Sequence, residues 1–125
     1  MSLTMYHYPA CSTCRNARKW LQLSGLEADL VHIVESPPSA TQVESFILRS
    51  GLPAKRFFNT SGRSYREGGW KARVADLSIK EAAAALANDG KLIKRPLLVS
   101  DETVLVGFKD EIWRQALLGG ASHGA

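Results

Sequence analysis

The sequence predicts an α/β fold made of a βαβ unit and, after a helical stretch, a ββα unit. Three observations carry this. A short apolar-aromatic run at residues 3–7 leads through Tyr8-Pro9-Ala10 into Ser12–Leu23, where Cys14, Ala17, Trp20 and Leu21 recur at helical spacing. A run rich in β-branched residues follows at 30–34. Near the other end, two short runs at 97–100 and 103–106 flank the turn Asp101-Glu102 and precede an amphipathic segment opened by Asp110 and Glu111.

Each element has a local reason. Gly25 ends the first helix, and Ser36-Pro37-Pro38 breaks the second strand. Ser39 with Gln42 is a capping box, with Val43, Phe46 and Ile47 as the buried stripe of the helix it opens and Gly51 as its stop. Residues 52–76 show no clear period, and Asn59-Thr60-Ser61-Gly62 and Gly68-Gly69 read as turns. Ser78 with Glu81 is a second capping box, opening an Ala-rich helix that stops at Asn88-Asp89-Gly90. In the last helix Ile112, Trp113, Ala116 and Leu117 are expected to face inward, with Gly119 past its end. The first crossover should be right-handed, giving parallel pairing. A βαβ joined to a ββα is the thioredoxin-like (glutaredoxin-like) plan, here with a helical lobe at about 39–90 inserted. The expectation is a single domain over residues 1–125.

Composition narrows the function. The chain has 125 residues, 45% apolar and 22% charged, ordinary for a globular domain. The net charge of +4 suits anionic small molecules or an acidic partner and is too weak to argue direct nucleic-acid binding. No apolar stretch approaches the ~20 residues of a membrane span, and the N-terminus lacks the pattern of a signal peptide. Both cysteines sit in one CxxC, which favours a reducing, cytoplasmic setting over a scattered disulfide framework.

The CxxC carries the chemistry. Residues three apart share a helical face, so Cys11 and Cys14 can bridge. Cys11 sits at the helix mouth, where unpaired N–H groups and the positive dipole end favour a thiolate. Cys14 lies one turn inside, on the apolar face. Cys11 is thus the expected nucleophile and Cys14 the resolving thiol. No acidic residue lies between Met1 and Leu26, and Arg15, Arg18 and Lys19 add positive charge. The competing readings are a structural zinc site and an inert pair of thiols. Zinc normally takes four Cys or His ligands, and His7, His32 and His123 have no paired spacing, so no metal is expected.

The run Tyr6-His7-Tyr8-Pro9-Ala10-Cys11-Ser12-Thr13-Cys14-Arg15-Asn16 resembles the active-site segment of the arsenate reductase family, which shares its fold with glutaredoxins. Phe58-Asn59-Thr60-Ser61-Gly62, Lys94-Arg95-Pro96-Leu97-Leu98-Val99 and Val106-Gly107-Phe108-Lys109 resemble further landmarks, so the likeness covers nearly the whole chain. The family holds glutathione-linked arsenate reductases and redox-sensing regulators of the Spx and MgsR type.

The resemblance implies that Cys11 is the nucleophile, that His7 is a histidine beside it, that Arg95 binds an anion and that the bond before Pro96 is cis. An oxyanion beside Cys11 would then be held by the helix start at Ser12 and Thr13, by Arg15 and by Arg95. It further implies no bound cofactor, with glutathione or another thiol as co-substrate of an oxyanion or disulfide. For a chain of the Spx type it implies the RNA polymerase α subunit as partner, with Gly51 near the contact. Two departures bear on the reaction. Asn59 and Phe108 stand where the arsenate reductases have arginines, leaving Lys94 and Arg63 as candidates for the missing charge, and Cys14 is an added thiol. Both favour disulfide chemistry, and the family's regulator-like and uncharacterised branches, over arsenate reduction.

Overall fold

The computed structural model describes residues 2–119. A four-stranded mixed sheet has the order β2 (Asp29–His32), β1 (Thr4–His7), β3 (Leu97–Val99), β4 (Val104–Val106). β1 pairs with β2 in parallel, with Thr4 opposite Asp29 and His7 opposite His32. β1 with β3 and β3 with β4 are antiparallel. The expected βαβ and ββα units are both present, in a thioredoxin-like arrangement.

Strand alternation divides the core into two layers. Met5 and Leu98 face one side and pack with Leu3, with Ala17 and Leu21 of α1 (Ser12–Leu23) and with Trp113 of α6 (Asp110–Leu117). Tyr6, Leu97 and Val99 face the other side. There they meet Val43, Phe46 and Ile47 of α2 (Ala40–Ser50) and Ala82, Ala83 and Leu86 of α5 (Ile79–Asn88). Both capping boxes form: the Ser39 hydroxyl accepts from the Gln42 N–H at 3.1 Å, and the Ser78 hydroxyl accepts from the Glu81 N–H at 3.0 Å. Gly51 ends α2 with φ of +70°, a left-handed conformation that costs glycine no Cβ clash.

Two expectations are corrected here. β2 stops at His32 and does not reach Val34, because His32 Nδ1 accepts the N–H groups of Val34 (3.2 Å) and Glu35 (3.1 Å) and turns the chain. On α6, Trp113 is buried and Leu117 half-buried, but Ala116 is exposed and Ile112 is 51% exposed. The indole of Trp113 takes most of the inner face, stacking edge-on against Phe108 (4.9 Å) and Trp20 (5.8 Å).

The segment that showed no period folds into α3 (Arg63–Glu67), α4 (Trp70–Arg73) and single 3₁₀ turns at Ala54–Phe57 and Val74–Asp76. Buried Phe57, Phe58, Tyr65 and Val74 hold it down. Its backbone is stitched to the strand side of the molecule: Phe58 bridges Ile93, the Asn59 N–H donates to the Leu92 carbonyl (2.8 Å) and the Lys94 N–H to the Phe57 carbonyl (2.8 Å).

Candidate active site

α1 begins at a thiol. Cys11 has extended backbone angles (φ −83°, ψ 119°) and occupies the N-cap, where its sulfur accepts the N–H of Cys14 at 3.3 Å. A side-chain acceptor at this place satisfies one of the orphan donors of the first turn. No acidic residue occupies that turn. Cys11 is partly exposed and faces a cleft; Cys14 is fully buried on the inner face of α1.

The two sulfurs have opposite surroundings. Burial, with a smaller contribution from the Cys11 side chain, pushes the Cys14 thiol up to about 12, against the Tyr8 N–H and Arg95, which lower it. The Tyr8 N–H reaches the Cys14 sulfur at 3.5 Å. Cys14 is therefore a protonated thiol at neutral pH.

The cleft has a volume of about 1090 Å³ and is walled by Cys11 and Thr13 from the α1 end, by residues 58–62, by Lys94 and Arg95, and by Phe108 and Trp113. Arg95 precedes Pro96 through a cis bond. Its Nη1 donates to the carbonyls of Lys91 (3.1 Å) and Ile93 (3.3 Å), and its guanidinium carbon lies 5.1 Å from the centroid of the Tyr8 ring. Asn59 and Phe108 both line the cleft that Cys11 borders, so the two positions that lack arginine belong to the same cavity.

The predicted anion cradle is only partly assembled. Thr13 and Arg95 line the cleft with Cys11; Ser12 and Arg15 do not. Successive helical side chains fan out by about 100°, and Arg15 donates to the Pro9 carbonyl (3.2 Å) and lines a separate groove with Arg18 and Lys19. Lys94 lines the cleft, whereas Arg63 lies outside it, 3.7 Å from Glu67. His7 is buried, and its Nδ1 has no hydrogen-bond partner among the described residues. Burial, then Arg18 and His32, hold its pKa below the ordinary 6.5, so the ring is neutral at pH 7. A neutral ring carries no positive charge to offer a thiolate, and His7 does not line the cleft. His123 lies outside the described residues.

Sequence reasoning missed Tyr8, Lys55, Arg56, Lys109 and the exposed Ile112, all of which line the cleft. The available signal was adjacency. Lys109 follows Phe108, and Lys55 and Arg56 stand just before the 58–62 run.

The model of the ArsC family matches residues 6–116 of this chain. The chain belongs to the ArsC family. Among ArsC family relatives, the Bacillus subtilis (strain 168) protein YusI is 50% identical over 111 residues, covering 89% of this chain and 94% of its own. The arsenate reductase of Rhizobium meliloti (strain 1021) is 31% identical over 100 residues, covering 80% of this chain and 70% of its own. A solved structure of an ArsC family related protein from Bacteroides fragilis superposes with a TM-score of 0.88 at 43% identity, covering 92% of this chain and 97% of its own. More distant relatives include regulators named MgsR and Spx. Among the described residues, no helix is long and apolar enough to cross a membrane.

Proposed function

We propose that this ArsC family chain is a thiol-dependent reductase whose Cys11 attacks a disulfide sulfur. The observation that carries the reading is Cys11 at the N-cap of α1, on the wall of a cleft, with a second sulfur buried behind it. The Cys11 thiolate forms a bond to one substrate sulfur, the substrate S–S bond breaks, and the leaving thiolate takes a proton from water. A second thiol then attacks the mixed disulfide. Cys14 is the internal candidate and glutathione or another small thiol the external one. Attack requires a thiolate, so the burial that keeps Cys14 protonated favours the external thiol for rapid turnover at neutral pH.

Arsenate reduction is the weaker reading. Asn59 is neutral, Phe108 is apolar, and Arg95 commits Nη1 to two carbonyls. Each missing charged hydrogen bond forgoes about 1.5–3 kcal/mol of hold on an oxyanion. A redox-switched regulator that binds the RNA polymerase α subunit is the reading from a different class. What favours it is the likeness to the relatives named MgsR and Spx.

The test is turnover of hydroxyethyl disulfide with glutathione by wild type, Cys11→Ser and Cys14→Ser, beside arsenate turnover with the same thiol. Disulfide turnover lost in Cys11→Ser, with arsenate near background, is the expected result. Strong arsenate turnover untouched by Cys14→Ser overturns it. Capture of polymerase α subunit by a protein inert toward disulfides favours the regulator.

A further inference from the structure

We propose that the cleft beside Cys11 docks the phosphate groups of a small disulfide, so that the substrate is the disulfide of a multiply phosphorylated thiol. This rests on the thiol-disulfide reading above and names its substrate class.

The first observation is charge. Lys55, Arg56, Lys94, Arg95 and Lys109 come from three separate stretches of chain and border one cavity that, among the described residues, no Asp or Glu lines. Among the described residues, Lys55, Arg56, Lys94 and Lys109 make no ion pair and no side-chain hydrogen bond, while Arg63 and Arg114 are paired with Glu67 and Asp110. Like charges gathered around one concavity repel one another, and an anion seated among them relieves that repulsion.

The second observation is size. A cavity of about 1090 Å³ stands at the upper end of the ~300–1,000 Å³ typical for organic ligands, far beyond the needs of one tetrahedral oxyanion.

The third is the apolar part of the lining. Leu105, Phe108 and Ile112 are apolar and border the same cavity, which suits an uncharged arm running from the sulfur to the phosphates.

Charge count selects among thiols. Glutathione, with two carboxylates and an ammonium, carries a net charge of about −1 at neutral pH. A thiol bearing a diphosphate and a phosphomonoester carries roughly −4. Arginine forks and lysine point charges both suit phosphate oxygens.

The reaction balances as a two-electron exchange. The Cys11 thiolate bonds to one sulfur of the phosphorylated disulfide, the S–S bond breaks, and one phosphorylated thiolate leaves and is protonated by water. A small thiol reductant then attacks the Cys11 mixed disulfide and frees the second phosphorylated thiol. A second equivalent of the reductant closes its own disulfide and restores Cys11. One disulfide is reduced and two reductant thiols are oxidised.

The test mixes reduced full-length protein with coenzyme A disulfide, glutathione disulfide and hydroxyethyl disulfide, each rate being divided by the rate with free dithiothreitol. The normalised rate with coenzyme A disulfide should exceed that with hydroxyethyl disulfide at least ~10-fold in 20 mM salt and approach parity in 0.5 M salt, as the Debye length shrinks. The triple variant Lys55→Gln, Lys94→Gln, Lys109→Gln should cut the preference about 10-fold. The double variant Lys71→Gln, Lys80→Gln, at two lysines that do not line the cleft, should leave it. Calorimetry with S-methyl coenzyme A, which cannot react, reads docking alone. Should no disulfide react while S-methyl coenzyme A binds in a salt-sensitive way that the triple variant loses, the docking site stands and the reductase reading fails. Equal normalised rates for all three disulfides, a match by glutathione disulfide, or no binding of S-methyl coenzyme A overturns the phosphate site.

Discussion

The guanidinium of Arg95 rests 5.1 Å from the ring centroid of Tyr8, and the Tyr8 N–H reaches the buried sulfur of Cys14 at 3.5 Å. One residue thus links the cation of the cleft to the thiol beneath its floor. Arg95→Ala should leave a folded protein, since Arg95 is only half-buried and a cation–π contact outside the core is worth about 0.5–1 kcal/mol. Arg95→Lys keeps a charge but loses the planar fork that meets two carbonyls. Both variants should weaken binding of sulfate or phosphate, with alanine the weaker, as read by calorimetry. Unchanged anion affinity in Arg95→Ala would remove Arg95 from the site.

Native-state alkylation should separate the two thiols. Iodoacetamide at pH 7.5 should label Cys11 and leave Cys14, which is fully buried with a thiol pushed up to about 12. Unfolding in guanidinium should make both react. Peptide mapping that finds Cys14 labelled first in the native protein would contradict this geometry.

His7 should make stability fall on acidification. Its pKa is lowered in the fold by burial, then by Arg18 and His32. The unfolded chain therefore takes up a proton before the folded one does. The contribution is fully present above the ordinary histidine value of 6.5 and is lost as pH falls through the lower folded value. Melting temperatures between pH 7.5 and 5 should drop more steeply in wild type than in His7→Phe. That variant also removes a buried Nδ1 with no hydrogen-bond partner among the described residues, so at pH 7.5 it should cost little. Parallel pH slopes in the two proteins would show that His7 does not titrate this way.

Gly90→Ala should destabilise by about 1–3 kcal/mol, the usual range for overpacking. A Cβ at this position would press into the backbone carbonyl of Ile33, which cannot rotate away as a side chain could. Denaturant midpoints measure the loss, and a variant as stable as wild type would show that the 3₁₀ turn Gly90–Leu92 shifts freely.

Much of this was legible because local chemistry and tertiary outcome agree. Ser39 with Gln42 and Ser78 with Glu81 announced helix starts that form as read, and the CxxC sits at a helix mouth. The central segment was opaque because α3 and α4 have five and four residues, too short for a period to emerge. Their order comes from Phe57, Phe58 and Tyr65 finding partners distant in sequence. Ile112 misled for a related reason: the large indole of Trp113 occupies the inner face, and the neighbouring isoleucine is turned toward the cleft. Thr13 and Arg95 were found as cleft residues. Lys55, Arg56 and Lys109 escaped because their side chains carry no pattern of their own, and only adjacency to Phe108 and to the 58–62 run marks them.

The main-chain bonds joining residues 57–59 to residues 92–94 bear on more than folding. They hold the strip carrying Lys55 and Arg56 at a fixed gauge from the strip carrying Lys94 and Arg95. Amide and carbonyl groups and the buried Phe57, Phe58, Leu92 and Ile93 set that spacing, and none of the cleft's cations takes part in those bonds through its side chain. The cleft can therefore be repainted without being rebuilt. Exchanging a lysine for a glutamine, or Asn59 for an arginine, changes the charge presented to a ligand while the two rails keep their separation.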